Sequence, residues 1–154
     1  MSPWQRVVLA QFLTVALVSA YAQEKAIRRE DLPSGVEKTV AEQSKGATIR
    51  GFSREKENGK TFYEAELMVN GHSKDVLMDV NGSVVEVEEQ VSIASLPTAV
   101  RRGLQEKAGS GKLVKVEKLT KKDKLVAYEA KVAASGKTSE VQVGPDGNTL
   151  NHEE

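Results

Sequence analysis

The chain has no cysteine among its 154 residues, so neither a disulfide nor a thiolate nucleophile is available to it. Aromatic residues make up only 5%, and the single tryptophan, Trp4, stands near the amino terminus. Excess charge of one sign is also missing: 22 basic residues meet 22 acidic ones. That balance argues against a nucleic-acid or anionic-membrane binder, which needs clustered excess Lys and Arg. Long apolar runs are absent apart from Val7 to Val18, which Gln11 and Thr14 interrupt. That run is shorter than the roughly 20 residues of a comfortable membrane span.

What is present begins with that run. Met1 to Arg6 carries one Arg, the apolar stretch follows, and Ala20-Tyr21-Ala22 offers the small residues a signal peptidase reads. Residues 1–22 are therefore expected to be an export signal, with an uncleaved anchor as the alternative. No Cys follows, which excludes a lipid-anchored lipoprotein. Cleavage leaves residues 23–154, with a net charge of about −1 by residue count. Such a chain is expected in the periplasm or outside the cell, stabilised by core packing alone.

The remaining sequence states one pattern twice. Leu32-Pro33-Ser34-Gly35-Val36 matches Leu96-Pro97-Thr98-Ala99-Val100, and Tyr63-Glu64-Ala65 matches Tyr128-Glu129-Ala130. Asn81-Gly82 matches Asp146-Gly147. The offset grows by one residue near Lys121–Lys124. The chain thus divides into an N-terminal segment (23–31), a first repeat (32–90), a linker (91–95) and a second repeat (96–154). The link is short and partly apolar (Val91, Ile93), so packed halves are expected. Charge is uneven between them: 7 basic and 11 acidic residues in 32–90, against 11 and 8 in 96–154. Ordinary solvated surface accounts for this; docking between the halves or steering of a partner is the sharper explanation.

Each repeat opens with an amphipathic helix. Leu32, Val36 and Val40 recur every four residues, as do Leu96, Val100 and Leu104. Asp31 and Ser95 stand where capping side chains belong, Pro33 and Pro97 suit the first turn, and Gly46 and Gly109 suit the end. The period then falls to two. Tyr63, Ala65, Leu67 and Val69 alternate with Phe62, Glu64, Glu66 and Met68. Asn-Gly at 58–59, 70–71 and 81–82 marks hairpins, predicting strands at about 47–57, 60–70, 73–80 and 83–89. In the second repeat Ser135-Gly136 and Asp146-Gly147 are turns, the Lys121–Lys124 turn lacks Gly, and Val141, Val143 and Leu150 continue the apolar face. The predicted fold class is α+β: an α-β-β-β-β unit in tandem, each helix on a four-stranded antiparallel meander.

Chemistry is hard to find. His72 and His152 lie beside a turn and in the tail, without metal-ligand spacing. Asp79-Val80-Asn81-Gly82 begins like a calcium loop but lacks the later oxygen ligands and the closing Glu. A hairpin turn explains it better. Glu64, Glu66, Glu86 and Glu88 occupy strand positions on the predicted solvent face. No catalytic residue, cofactor or metal site is expected.

The residues on the outer face are more informative. If Tyr63, Ala65 and Leu67 face the helix, then Phe62 and Met68 face outward with Leu77 and Val84. Around them stand Glu64, Glu66, Asp75, Asp79, Glu86 and Glu88. An apolar patch with an acidic rim is a plausible protein-binding surface. Scattered exposed hydrophobes, or cover from the other repeat, give the same pattern. The second repeat offers only Leu125, Ala127 and Ala133 there. The candidate partner-binding residues are Phe62, Met68 and Leu77 for apolar contact, with Glu64, Glu66 and Asp79 for orientation.

The signal-like start, the Leu-Pro-x-x-Val helix, the Tyr-Glu-Ala strand and the terminal Asp/Asn-Gly hairpin resemble the PepSY-like, β-lactamase-inhibitor-like domains of bacterial envelope proteins. The resemblance covers 32–89 and 96–154. It implies helices layered on an antiparallel sheet, export, and a role in restraining a protease or other hydrolase. The chain lacks the cysteines of the β-lactamase inhibitors, and its sheet face is poor in aromatics. The expected function is therefore a non-enzymatic envelope module that binds a protein or peptide. A small-ligand or cation sensor is the alternative, and self-association through the oppositely charged halves is a third.

Overall fold

The computed structural model describes residues 24–152 and 154. The segment read as an export signal lies outside the described residues. Each repeat begins with its helix: α1 at Ser34–Gln43 and α2 at Thr98–Ala108. Val36 and Val40 of α1, and Val100 and Leu104 of α2, are fully buried. The four-residue spacing therefore marks the stripe each helix turns to the sheet.

The capping expectation needs correction. Pro33 and Pro97 themselves occupy the N-cap positions, with no side-chain cap bond. Asp31 instead ends a 3-10 turn at Arg29–Asp31, where its carboxylate accepts from the Arg28 backbone and side chain. Ser95 closes the matching turn at Ile93–Ser95 by donating to the Ser92 carbonyl. Leu32 and Leu96 thus enter their cores from an extended residue ahead of the helix. Gly109 caps α2 with φ +59°, as expected.

The strands are β1 (Lys25–Ala26), β2 (Thr48–Glu57), β3 (Lys60–Val69), β4 (His72–Asp79), β5 (Val84–Val91), β6 (Lys112–Lys121), β7 (Lys124–Ala134) and β8 (Lys137–Val143). Among the described residues they form one antiparallel sheet in the order β1 to β8. The halves fuse where β5 pairs with β6, from Glu86 opposite Lys121 to Val91 opposite Val116. The eighth strand is the short β1, which borders β2. Leu150 lies beyond β8 outside any strand, half-buried. The residue gained by the second repeat is a β-bulge: Leu119 faces Ala127 and Thr120 faces Leu125, leaving Val126 unopposed.

Two cores share one side of the sheet. Val36, Val40, Phe52, Tyr63, Ala65, Leu67, Val76 and Met78 form the first. Leu96, Val100, Leu104, Leu113, Val116, Ala130, Val132 and Val143 form the second. Each buried side chain of this kind contributes roughly 1.5–3 kcal/mol.

The repeated Asn/Asp-Gly pair does more than turn the chain. Gly82 has φ +84°, and a Cβ there would overlap the Gly35 carbonyl of α1. Gly147, at φ +81°, meets Ala99 of α2 in the same way. Thr39 Oγ1 donates to the Gly82 carbonyl at 2.6 Å, clamping hairpin to helix. Asp79 Oδ1 accepts from the Asn81 and Ser83 amides, at 2.8 and 3.0 Å. The calcium-like stretch is thus a hairpin turn, its first carboxylate spent on its own backbone.

Candidate functional site

Because α1 and α2 pack on the same side, the opposite side of the sheet carries neither helix. Strand alternation decides what stands on it. One row across the strands runs Glu66, Asp75, Glu88, Leu119 and Ala127. The next runs Ser53, Glu64, Leu77, Glu86 and Lys121. A third holds Glu55, Phe62 and Asp79.

The six residues expected to bind a partner share this face but not one spot. Phe62, Leu77 and Asp79 line a cleft of about 680 Å³ with Val80, Val85, Glu57, Lys60, Thr61, Glu86 and Lys121. Glu64 stands one row further, in a small acidic recess with Glu55, Asp75, Leu77, Glu86 and Glu88. Glu66 is exposed, and Met68 is half-buried near the far end of the strand, opposite Ser73.

The outward position given to Val84 is corrected. A register shift between Leu77 and Met78 places Val84 against the first core. Val85 faces the cleft in its place. A bulge exchanges the two sides of a strand, and a period-two count does not register it.

The carboxylates are not an ordinary solvated surface either. Burial pushes the Glu88 carboxyl up to about 8, with the nearby Glu129, Glu117, Glu86 and Asp75 charges adding to it. Burial likewise raises Glu64 to about 7, against the opposing pull of its bond from Ser53 Oγ at 3.1 Å. Asp75 rises to about 6 through burial and the Glu117 charge, with Lys115 working the other way. One carboxylate oxygen from each of Asp75, Glu88 and Glu117 lies within 4.8 Å of the others. Oxygen donors so arranged suit a hard cation. Lys115 already sits on Glu117 at 2.6 Å, and Ser73 Oγ donates to the same oxygen at 3.1 Å.

Asp75, Glu86, Glu88 and Glu117 were not among the residues singled out for binding. The Glu86/Glu88 spacing gave them an outward face. Their meeting with Glu117 and Glu129 required the β5–β6 pairing, which no local pattern encodes. On the second half, Lys121 holds Glu86 at 3.4 Å and Glu154 at 3.5 Å. Gln142 donates to Glu129 at 2.7 Å and accepts from the Glu154 amide at 2.9 Å. His72 is exposed at a hairpin end, and His152 contacts the exposed-side Glu154 carboxylate at 3.7 Å. Among the described residues no helix is long and apolar enough to cross a membrane.

No family model and no curated protein matches the chain. Solved structures do. A BLIP-like protein of Bacteroides fragilis superposes with a TM-score of 0.57 at 22% identity, over 79% of this chain and 85% of that one. A DUF2874 family protein of Bacteroides ovatus gives 0.60 at 19% identity, over 78% and 85%. A Bacteroides eggerthii protein, provisionally described as periplasmic, gives 0.63 at 15% identity, over 78% and 86%. The tandem helix-on-sheet fold of this chain is thus the fold of the BLIP-like and DUF2874 proteins.

Proposed function

We propose that this chain is an exported, non-enzymatic module that captures a protein or peptide on the helix-free face of its sheet. The first repeat supplies the contact. The observation that carries this reading is the cleft between Phe62, Leu77, Val80 and Val85. It is an apolar depression, rimmed by charge, on the side of the sheet that neither helix covers. Concave apolar surface with a polar rim is the anatomy of a recognition site. Export follows from the reading of residues 1–22, and a protease or other hydrolase of the envelope is the partner class the BLIP-like fold favours. Fold alone does not transfer that activity.

The test uses residues 23–154 as bait on the envelope fraction of the native host. A Phe62→Asp/Leu77→Asp variant, checked for its fold by circular dichroism, runs beside it. A partner retained by the parent and lost by the variant supports the reading. No partner with either bait, or equal retention by both, overturns it.

The competing reading, a small-ligand or cation sensor, draws on the convergence of Asp75, Glu88 and Glu117. It requires calcium chloride, or a small envelope metabolite, to raise the melting temperature in the absence of any protein partner. An unchanged Tm across such a screen removes it.

A further inference from the structure

The helix-free face of the first repeat carries charge in a pattern that specifies what it would accept. Positions 51, 53, 55 and 57 on β2, 62, 64, 66 and 68 on β3, and 75, 77 and 79 on β4 lie on that face. Six are carboxylates: Glu55, Glu57, Glu64, Glu66, Asp75 and Asp79. None is basic. Glu86 and Glu88 on β5 extend the field. At its edge, Lys60 and Lys121 stand beside the cleft, and Lys121 is already engaged by Glu86 and Glu154.

Spacing adds a second constraint. Successive side chains on one face of a strand are about 7 Å apart, the same as alternate residues of an extended peptide. A segment lying along the strands therefore meets the rows one after another. The cleft row holds Phe62 between Glu55 and Asp79, with Val85 and, one row on, Leu77 completing the apolar lining. The next offers Glu64 and Glu86, and the one after offers Glu66, Asp75 and Glu88. We propose that this face takes an extended cationic segment of a protein, patterned apolar-x-basic-x-basic. Its apolar side chain fills the cleft, and its Lys or Arg side chains stand over the two carboxylate rows. The proposal rests on the protein-binding reading above and names the chemistry of the partner.

Proton exchange supports it. The charged groups facing one another here come from every neighbouring strand: Glu24 ahead of β1, Glu55 on β2, Glu64 and Glu66 on β3, Asp75 on β4, and Glu86 and Glu88 on β5. Lys115, Glu117 and Lys121 on β6 and Glu129 on β7 complete the set. Burial, with mutual repulsion added, leaves Glu64, Asp75 and Glu88 partly protonated near neutral pH. A cation placed among them favours the ionised forms and expels those protons.

The experiment is isothermal titration of residues 23–154 with the synthetic peptide acetyl-Ser-Leu-Ser-Lys-Ser-Lys-Ser-amide, in two buffers of different ionisation enthalpy. Binding is expected with proton release at pH 7, seen as a buffer-dependent heat. Replacing both Lys by Glu should weaken it at least ~10-fold, and replacing Leu by Ser ~5-fold. Glu64→Gln/Glu88→Gln, which keeps side-chain shape, should weaken binding, flatten its salt dependence and remove most of the buffer effect. Equal binding of the Glu peptide, no binding of the Lys peptide, or an unaltered salt slope in the Gln variant overturns the proposal. The two readings fail separately. An envelope partner lost with Phe62→Asp/Leu77→Asp, but not displaced by the Lys peptide, keeps the binding face and removes its cationic specificity.

Discussion

The two halves of this sheet share a helix-on-meander plan and differ in surface chemistry. At twelve equivalent positions of the helix-free face, the first repeat places six carboxylates against the single base Lys60. The second places Lys115, Lys121, Lys124 and Lys131 against Glu117, Glu129 and Glu140, and so is close to neutral. Phe62 becomes Ala127, Met68 becomes Ala133, and Leu77 becomes Gln142. The second half also satisfies its own charges: Lys115 on Glu117, Lys121 on Glu86 and Glu154, Gln142 on Glu129. The helix side shows the reverse. There both repeats keep a Val or Leu stripe on the helix, a Tyr-Glu-Ala strand and a Gly hairpin against the helix backbone. Folding constrains the side the repeats share, and the other side has been free to diverge.

The sharpest way to break the comparison is at the hairpin it holds constant. Gly82→Val and Gly147→Val should each destabilise by ~3 kcal/mol or more. Each combines a left-handed backbone with a side chain driven into the helix. Gly59→Val and Gly136→Val have left-handed backbones but nothing within 4 Å of the new Cβ. They should cost only ~1–2 kcal/mol. Urea denaturation of the four variants checks this, and equal losses would dissolve the link between hairpin and helix.

The pH dependence of stability separates the halves next. A carboxyl whose folded value lies above its unfolded one stabilises the fold fully below the unfolded value. That contribution disappears as pH rises through the folded value. Asp75, Glu64 and Glu88, at about 6, 7 and 8, place the loss between roughly pH 5 and 8.5. Tm should fall by ~5 °C or more across that window, since 1 kcal/mol corresponds to about 2–4 °C in a chain of this size. Glu88→Gln should flatten the decline, and Glu140→Gln on the neutral half should not. At the acid end Asp31, Glu37 and Asp146 act the other way, because hydrogen bonds to their ionised forms hold them below the usual carboxylate range. Their exposure keeps that effect small.

A smaller effect is expected from exchanging single residues between the halves. Glu66→Lys, which gives the first repeat the charge found at position 131, should weaken the cationic peptide several-fold and leave Tm within ~2 °C. Lys121→Ala should change least. Its pairs with Glu86 and Glu154 are partly exposed and together contribute no more than ~1 kcal/mol. A larger loss in chemical denaturation would show that Lys121 ties the two halves together.

Much of this architecture was legible in the chain. The Asn-Gly turns placed the first three hairpins to within a residue or two, because positive φ, at both turn residues of 58–59 and 70–71 and at Gly82 in the third, is a local demand that few residues meet. Lys122 and Asp123 adopt the same backbone without glycine, which explains the weak signal there. Helix starts were less legible: Leu-Pro announced them, but the cap is the proline, and Asp31 and Ser95 close the turns ahead. The candidate residues Phe62, Leu77 and Asp79 meet in one cleft, while Met68 stands apart. Val84 and Val85 exchange sides through a bulge that follows from pairing with β4.

The sequence by itself determined the tandem plan, the strand boundaries of the first repeat and, apart from the start of β5, the side of each strand that faces its helix. Those depend on periodicity and turn chemistry, which act over a few neighbouring residues. Only the tertiary structure decided that the two meanders become one sheet, because the β5–β6 pairing is a contact between elements that α2 separates along the chain. That pairing brings Glu88 and Asp75 within reach of Glu117 and Glu129, and burial among them turns a row of surface carboxylates into a proton-holding acidic field.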